Sequence, residues 1–152
     1  MVAWREVQVD APDFASRVQA RFDAGTNKTI ATIRADGSPR ISGTELQFQD
    51  GRITIGMMPG SRKLLDVLRD PRVAIHSPTL EPPPGPPSNW AGDAKIAGRL
   101  ARIDPLEGEP PGASSFEVDL TEVSLTYIDD TNTLLVIESW HADRGWARHT
   151  RT

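Results

Sequence analysis

The chain has 152 residues, 38% of them hydrophobic and 25% charged, with a formal net charge of −4 and no cysteine. This length and composition fit one soluble globular domain with a single core, and no window approaches the ~18 consecutive apolar residues of a membrane span. The negative charge disfavours nucleic-acid capture, and the lack of cysteine excludes disulfides, thiolate metal sites and cysteine nucleophiles. We therefore expect a cytoplasmic protein that binds neither nucleic acid nor membrane.

The first third of the chain predicts one helix followed by three strands. Apolar residues recur at helical spacing from Phe14 to Phe22 and end before Gly25, which predicts a helix over about 11–24. Two Asp-Gly pairs, at 36–37 and 50–51, then separate extended runs rich in β-branched residues. Because Asp-Gly favours the positive φ angles of tight hairpin turns, we predict a three-strand meander with runs at 29–33, 41–48 and 53–55.

A second helix is predicted directly after Pro59-Gly60, with Ser61 as its N-cap. Leu64, Leu65 and Leu68 are expected to share one face of this helix. A fourth strand is predicted over 72–76, and the proline-rich stretch 78–92 is expected to be a surface loop because proline cannot donate to a ladder.

The second half of the chain predicts three further strands. They are a strand over 94–103 interrupted by Gly98, an alternating run over 116–127 with a bulge at Thr121-Glu122, and a strand over 134–140. The tail 142–152 has no apolar period and predicts a flexible segment. Six or seven antiparallel strands with two or more short helices predict a mainly β, closed or partly closed barrel, a single domain over 1–152.

The strongest local signal for chemistry is Ser61-Arg62-Lys63, at the predicted start of the second helix. Helix-terminal N–H groups, a hydroxyl and two cations together suit a phosphate group. The spacing differs from that of a nucleotide-triphosphate loop. An ordinary serine cap with solvated cations remains an equal alternative on these residues alone.

Other candidate groups carry weaker signals. The three histidines His76, His141 and His149 have no metal-ligand spacing, so no metal site is expected. No serine lies in a Gly-x-Ser-x-Gly elbow. Trp90, Trp140 and Trp146 could wall a flat ligand, although packing in a core or interface is the commoner fate of tryptophan.

Four segments occur in a fixed order along the front half of the chain. They are Asp36-Gly37-Ser38-Pro39-Arg40, Gly51-Arg52-Ile53, Gly60-Ser61-Arg62-Lys63 and Arg69-Asp70-Pro71-Arg72-Val73-Ala74. This series resembles the pyridoxamine 5′-phosphate oxidase-like superfamily of FMN-binding split barrels. The resemblance runs from about 12 to 140 and is specific in order and spacing between 29 and 77. It implies a split β-barrel with Greek-key-like connections.

The resemblance also implies a cofactor site. The family's phosphate-gripping Ser-Arg-Lys segment corresponds to Ser61, Arg62 and Lys63. The strand along the isoalloxazine and ribityl chain corresponds to Ser42, Gly43, Thr44, Glu45, Leu46 and Gln47, and the end of the next strand to Gly56 and Met57. Because members are mostly homodimers with two sites at the interface, a second subunit is expected to supply Asp93 and Trp140.

The function implied by the resemblance is that of an oxidoreductase in which FMN, or the deazaflavin F-420, exchanges hydride with a small planar molecule. The alternative is a non-catalytic protein that binds a flavin, F-420 or haem. A nucleic-acid-binding barrel is disfavoured by the charge and by an aromatic content of 6%. Authentic pyridoxamine phosphate oxidases have a basic residue where this chain has Ser42 and a C-terminal Arg-x-His motif where it has only Arg148-His149. We therefore expect pyridoxamine phosphate to be a poor substrate.

Overall fold

Nine antiparallel strands form one sheet in the computed structural model, which describes all 152 residues. The helices are α1 (Trp4–Asp10), α2 (Pro12–Asp23) and α3 (Arg62–Arg69), with a 3-10 turn at Pro87–Asn89. The strands are β1 (Lys28–Ile33), β2 (Pro39–Thr44), β3 (Gln47–Gln49), β4 (Arg52–Met57), β5 (Arg72–His76), β6 (Asp93–Ile103), β7 (Ser114–Ile128), β8 (Leu135–His141) and β9 (Gly145–Arg151).

The predicted mainly β split barrel is confirmed, with nine strands rather than six or seven. The strand order is β2-β1-β5-β6-β7-β4-β3, and β8 and β9 extend from β7. The sheet does not close, because β2 and β3 are the two ends of that order. The helix predicted over 11–24 is confirmed as α2, whereas α1 was not predicted because its seven residues bury only Trp4 and Val7.

The predicted three-strand meander is wrong. β1 pairs with β2 and β3 pairs with β4, as the two Asp-Gly turns indicate, but β2 pairs with neither β3 nor β4. The run predicted over 41–48 is split at residues 45–46, where the chain passes from one open edge of the sheet to the other. β4 instead pairs with β7, with Ile55 opposite Phe116. The partner of β4 depends on this distant packing, which no turn motif encodes.

The predicted apolar face of α3 is also wrong. Leu64 and Val67 are buried together with Asp66, whereas Leu65 and Leu68 are each 53% exposed. Asp66 accepts hydrogen bonds from side chains of β1 and β2, and these bonds turn its side of the helix toward the sheet. Leu65 and Leu68 consequently point away from the core.

The back half of the chain follows the predicted pattern up to its last strand. The register between β6 and β7 shifts between Ala97 and Gly98, so that Thr121 is the extra residue of a bulge, as the sequence predicts. Residues 145–151 form β9, paired with β8, where the sequence pattern predicts a flexible tail. Backbone hydrogen bonding to β8 supports this edge strand without an apolar face of its own.

The core lies between the inner face of the sheet and the first two helices. Its largest fully buried side chains include Trp4 and Phe22 from the helices and Ile30, Ile55 and Ile96 from the strands. The longest helix has 12 residues, and none is long and apolar enough to cross a membrane. This core leaves the outer face of β4 and the open edges of the sheet available for a site.

Candidate functional site

A cleft of about 870 Å³ lies where the chain crosses between the two open edges of the sheet. One wall is the crossover Gly43–Gln47, and the floor includes Thr54 and Gly56 on the outer face of β4. Two further segments complete the cleft. One is 23–28, from the end of α2 to the start of β1, and the other is the loop before β7, which contributes Leu106 and Glu109. The volume lies within the range of ~300–1,000 Å³ that small-molecule and cofactor sites occupy.

The structure brings together in this cleft more than half of the predicted site residues. These are Gly43, Thr44, Glu45, Leu46, Gln47, Gly56 and Lys63. Ser42, Ser61 and Arg62 neighbour these residues in the chain but do not line the cleft. Met57, Asp93 and Trp140 lie elsewhere.

Lys63 is the cation that the start of α3 directs into the cleft. The Ser61 hydroxyl accepts a hydrogen bond from Leu64 N at 3.3 Å and so caps the helix, as the sequence predicts. The Lys63 ammonium donates to the Gly43 carbonyl oxygen at 2.7 Å, which links α3 to β2. Burial lowers the pKa of Lys63. No carboxylate pairs with this ammonium, so two of its three donors remain available to an anionic ligand.

Asp66 fixes α3, and therefore Lys63, against the sheet. Its carboxylate accepts hydrogen bonds from Thr32 on β1 and Arg40 on β2, both at 2.7 Å, and from Arg69 at 3.3 Å. Burial by itself would raise the pKa of Asp66, but these hydrogen bonds outweigh it and lower the pKa to about 2. Asp66 is therefore ionised throughout the neutral range and holds its three partners in place.

Gly56 lies on the floor of the cleft directly beneath Glu109. A Cβ atom at this position would overlap the Glu109 carboxylate unless that side chain moved. The loop before β7 thus extends over β4, and its Leu106 N–H donates to the Ser115 hydroxyl at 3.0 Å. Glu109 is the group that a ligand resting on Gly56 would meet first.

Lys28 and Glu109 are cleft residues that the sequence analysis missed. Lys28 alternates with Ile30 and Thr32, and all three are buried. This alternation was visible in the sequence and places Lys28 on the inner face of β1. Glu109 lies in an irregular Pro/Gly loop, where no periodic signal predicts the position of a side chain.

A second depression, of about 900 Å³, adjoins the cleft at Leu106. Its two arginines are already bonded to β7: Arg52 pairs with Glu117 at 3.1 Å, and Arg102 donates to Ser114 at 3.1 Å. The first cleft, with ammonium groups that no carboxylate neutralises, is the better site for an anionic cofactor.

Three predicted site residues lie away from the cleft in this chain. Met57 is 1% exposed and faces the core. Trp140 is 2% exposed, and its indole N–H donates to Asp10 at 3.2 Å. Asp93 begins β6 beside His76, with 3.7 Å between carboxylate and ring nitrogen. A contact of Trp140 with a second subunit requires its ring to leave this buried position.

Arg148 and His149 belong to β9, which corrects the expectation that they lie in a flexible tail. Both are exposed, and neither lines the cleft. A flexible tail is therefore not the reason to expect poor activity with pyridoxamine phosphate. The reasons are that Ser42 replaces a basic residue and that Arg148 and His149 lie outside the cleft.

Solved structures with this fold include a protein found with a phenazine and an FMN-binding protein. PhzG from Burkholderia lata 383, in complex with tetrahydrophenazine-1-carboxylic acid, has a TM-score of 0.66 at 12% identity over 97% of this chain and 92% of its own. A pyridoxamine 5′-phosphate oxidase-related, FMN-binding protein from Nostoc punctiforme PCC 73102 has a TM-score of 0.63 at 11% identity. The match covers 93% of this chain and 96% of that protein.

A third solved structure widens the range of ligands found with this fold. A heme binding protein from Mycobacterium smegmatis has a TM-score of 0.54 at 13% identity, over 89% of this chain and 87% of its own. No family model matches the sequence, and no curated protein matches it. The resemblance noted in the sequence is thus confirmed at the level of architecture: the chain has the split-barrel fold of the pyridoxamine 5′-phosphate oxidase-like, FMN-binding proteins.

Proposed function

We propose that this protein is a flavin-dependent oxidoreductase that holds FMN, or alternatively F-420, in the cleft and exchanges hydride between that cofactor and a small planar molecule. The observation that carries the proposal is the cleft itself, where Lys63 and the backbone of Gly43 and Gly56 meet. The fold, shared with an FMN-binding protein of known structure, supports it.

The residues present fit a phosphorylated, planar cofactor. Lys63 presents an ammonium without a carboxylate partner, and Ser61 can still donate its hydroxyl proton while its oxygen caps α3. Arg62, exposed at the same helix start, supplies a further cation. We assign these three residues to the phosphate. We assign the crossover, Gly43–Gln47, with Gly56, to the ring and its side chain.

Bound in this position, the cofactor would supply the hydride chemistry, and the chain's own residues would bind, orient and shield it. Leu106 and Glu109 cover the outer face of β4 and would restrict the entry of water. A flat ring resting on the backbone of Gly56 would have to displace the Glu109 carboxylate that lies over it. No side chain of the cleft is required to act as a general base in this scheme.

A non-catalytic binding protein is the second candidate. The specific observation that favours it is the likeness in fold to a heme binding protein. Such a protein would bind a flavin, F-420 or haem tightly and would show only background turnover. The two functions therefore differ in turnover and not in binding.

We expect the purified protein to bind FMN or F-420 with a dissociation constant in the micromolar range or tighter, and to turn over when a donor and a planar acceptor are supplied. Binding is measured by quenching of cofactor fluorescence, and turnover by the absorbance of the bound cofactor. Haem serves as the competing ligand. Exclusive binding of haem, or binding of FMN with only background turnover across acceptors, would contradict the oxidoreductase proposal.

We also propose a homodimer in which the second copy completes the site. Of the two residues expected from that copy, Asp93 is partly exposed, whereas Trp140 is buried within its own chain. Apolar side chains that no part of the same chain covers lie on β2 and α3 close to the cleft: Ile41, Leu65 and Leu68. Sedimentation equilibrium at micromolar protein is expected to give twice the chain mass of 16.6 kDa. A species of one chain mass that retains cofactor would show that the site is complete in a single chain.

A further inference from the structure

Lys28 is a buried cation with no role in the proposed phosphate site of Ser61, Arg62 and Lys63. It is the first residue of β1, is 7% exposed, and is one of the residues that line the cleft. Removing an ammonium group from water is costly unless an opposite charge or several hydrogen bonds compensate it. The partners of Lys28 therefore indicate whether the chain alone satisfies it.

The chain supplies a hydrogen-bond acceptor for only one of the three N–H donors of the Lys28 ammonium. Its Nζ has three donors, of which one reaches the Thr26 carbonyl oxygen at 3.1 Å. No carboxylate oxygen lies within 4.0 Å of the Lys28 Nζ, the largest separation of an ion pair. The other buried charged residues differ from Lys28 in this respect, because each pairs with an arginine: Asp66 with Arg40, Glu117 with Arg52 and Glu138 with Arg17.

Lys28 and Lys63 approach the same end of the β1–β2 hairpin. The Lys63 ammonium contacts the carbonyl oxygen of Gly43, and Gly43 pairs with Thr29, the residue that follows Lys28. Both lysines line the cleft, as do the carboxylates of Glu45 and Glu109. Neither carboxylate forms an ion pair with either lysine, so both of these ammonium groups lack a counter-charge within the chain.

We propose that Lys28 is the second cation of an oxyanion site and, with Lys63, binds the phosphate group of the ligand in the cleft. The proposal rests on the proposed function in taking that ligand to be a phosphorylated flavin or deazaflavin. A phosphate monoester carries close to two negative charges at neutral pH, and charge-assisted hydrogen bonds from two ammonium groups match that charge. Lys28 then determines selectivity for the phosphorylated form of the cofactor.

The test compares FMN with riboflavin, which differ only in the phosphate. In Lys28→Met, which keeps an unbranched side chain and removes the charged group, the dissociation constant of FMN should rise about tenfold or more. That of riboflavin should change less than about twofold, as expected for a site away from the phosphate. Lys95→Met, at the exposed lysine of β6, is the matched control and should leave both constants unchanged.

Two outcomes of this comparison overturn the proposal. One is an unchanged FMN affinity in Lys28→Met, and the other is an equal loss for FMN and riboflavin, which would mean that Lys28 supports the cleft wall and not the phosphate. Lys28→Gln, also neutral but polar, replaces the methionine variant if that protein does not fold. Lys28→Arg keeps the charge and should retain most of the preference for FMN.

A second measurement separates failure of this proposal from failure of the proposed function. Inorganic phosphate is used as the probe, and the melting temperature of the cofactor-free protein is compared with that in chloride at equal ionic strength. If neither flavin binds, the proposed function fails, but phosphate should still raise the melting temperature of the wild type and not of Lys28→Met. No phosphate-specific rise in the wild type, or an equal rise in both proteins, overturns the oxyanion site.

Discussion

Replacing Arg17 with methionine is expected to destabilise the folded protein by about 1.5–3 kcal/mol, the usual result of losing charge-assisted hydrogen bonds to a buried carboxylate when the cation itself is 38% exposed. At about 2–4 °C per kcal/mol for a chain of this size, the melting temperature should fall by roughly 3–12 °C. The reason is that Glu138 on β8, 2% exposed, would be left without its main counter-charge.

The geometry around Glu138 explains the size of this effect. Arg17 on α2 donates to both carboxylate oxygens, at 2.7 and 2.8 Å. Tyr127 donates to the same carboxylate at 2.5 Å and Trp146 at 3.1 Å. Burial by itself would raise the pKa of Glu138, but the hydrogen bonds from Arg17 and Tyr127 outweigh it and lower the pKa. Glu138 therefore stays ionised at neutral pH, and the network joins α2 to β7, β8 and β9.

Arg21→Met is the matched control, because Arg21 lies one turn further along α2 and makes no ion pair. It should change the free energy of unfolding by about 0.5 kcal/mol or less. Urea or thermal unfolding followed by circular dichroism measures both variants. Equal stabilities of the two variants would show that the Glu138 network contributes little to holding α2 on the sheet.

Replacing Lys63 with alanine is expected to weaken FMN binding by roughly 1.5–3 kcal/mol, or about 10- to 150-fold, because one charge-assisted hydrogen bond to the phosphate is lost. The fold should be retained, since the only bond that Lys63 makes within the chain is to the Gly43 carbonyl at the rim of the cleft. Riboflavin affinity should change far less than FMN affinity.

Fluorescence titration of the wild type, Lys63→Ala and the surface control Lys95→Ala measures this loss. Circular dichroism establishes that each variant is folded. Unchanged FMN affinity in a folded Lys63→Ala protein would remove Lys63 from the phosphate site and with it the central assignment of the Ser61-Arg62-Lys63 segment. Combined with Lys28→Met, the same titration also measures whether the two lysines act on one phosphate group, because neighbouring contacts to one group are not additive.

The sequence predicted most elements correctly where the signal was local. Asp36-Gly37 and Asp50-Gly51 placed both hairpin turns, Ser61 placed the start of α3, and Thr121 placed the bulge of β7. In each case the information lies within a few residues, because a positive φ angle, an unpaired N–H group or a break in alternation is a property of a short segment.

Pairing between distant segments could not be predicted in this way. That β4 pairs with β7 and not with β2 depends on which apolar faces fit together once the whole chain is folded. β9 has no apolar face of its own and is held by backbone hydrogen bonds to β8, so no apolar pattern predicts it. The orientation of α3 had the same origin: the polar bonds of Asp66, made across 26 and 34 residues of sequence, decided which side of the helix is buried.

For the site, the sequence by itself determined the candidate phosphate-binding segment 61–63 and the crossover 42–47, since both are contiguous and carry their own pattern. Only the tertiary structure decided that Lys63 meets Gly43, that Glu109 fills the space above Gly56, and that Lys28 is buried without a counter-charge. The physical reason is that an ammonium or carboxylate takes its role from the groups around it, and those groups come from strands and loops that are distant along the chain.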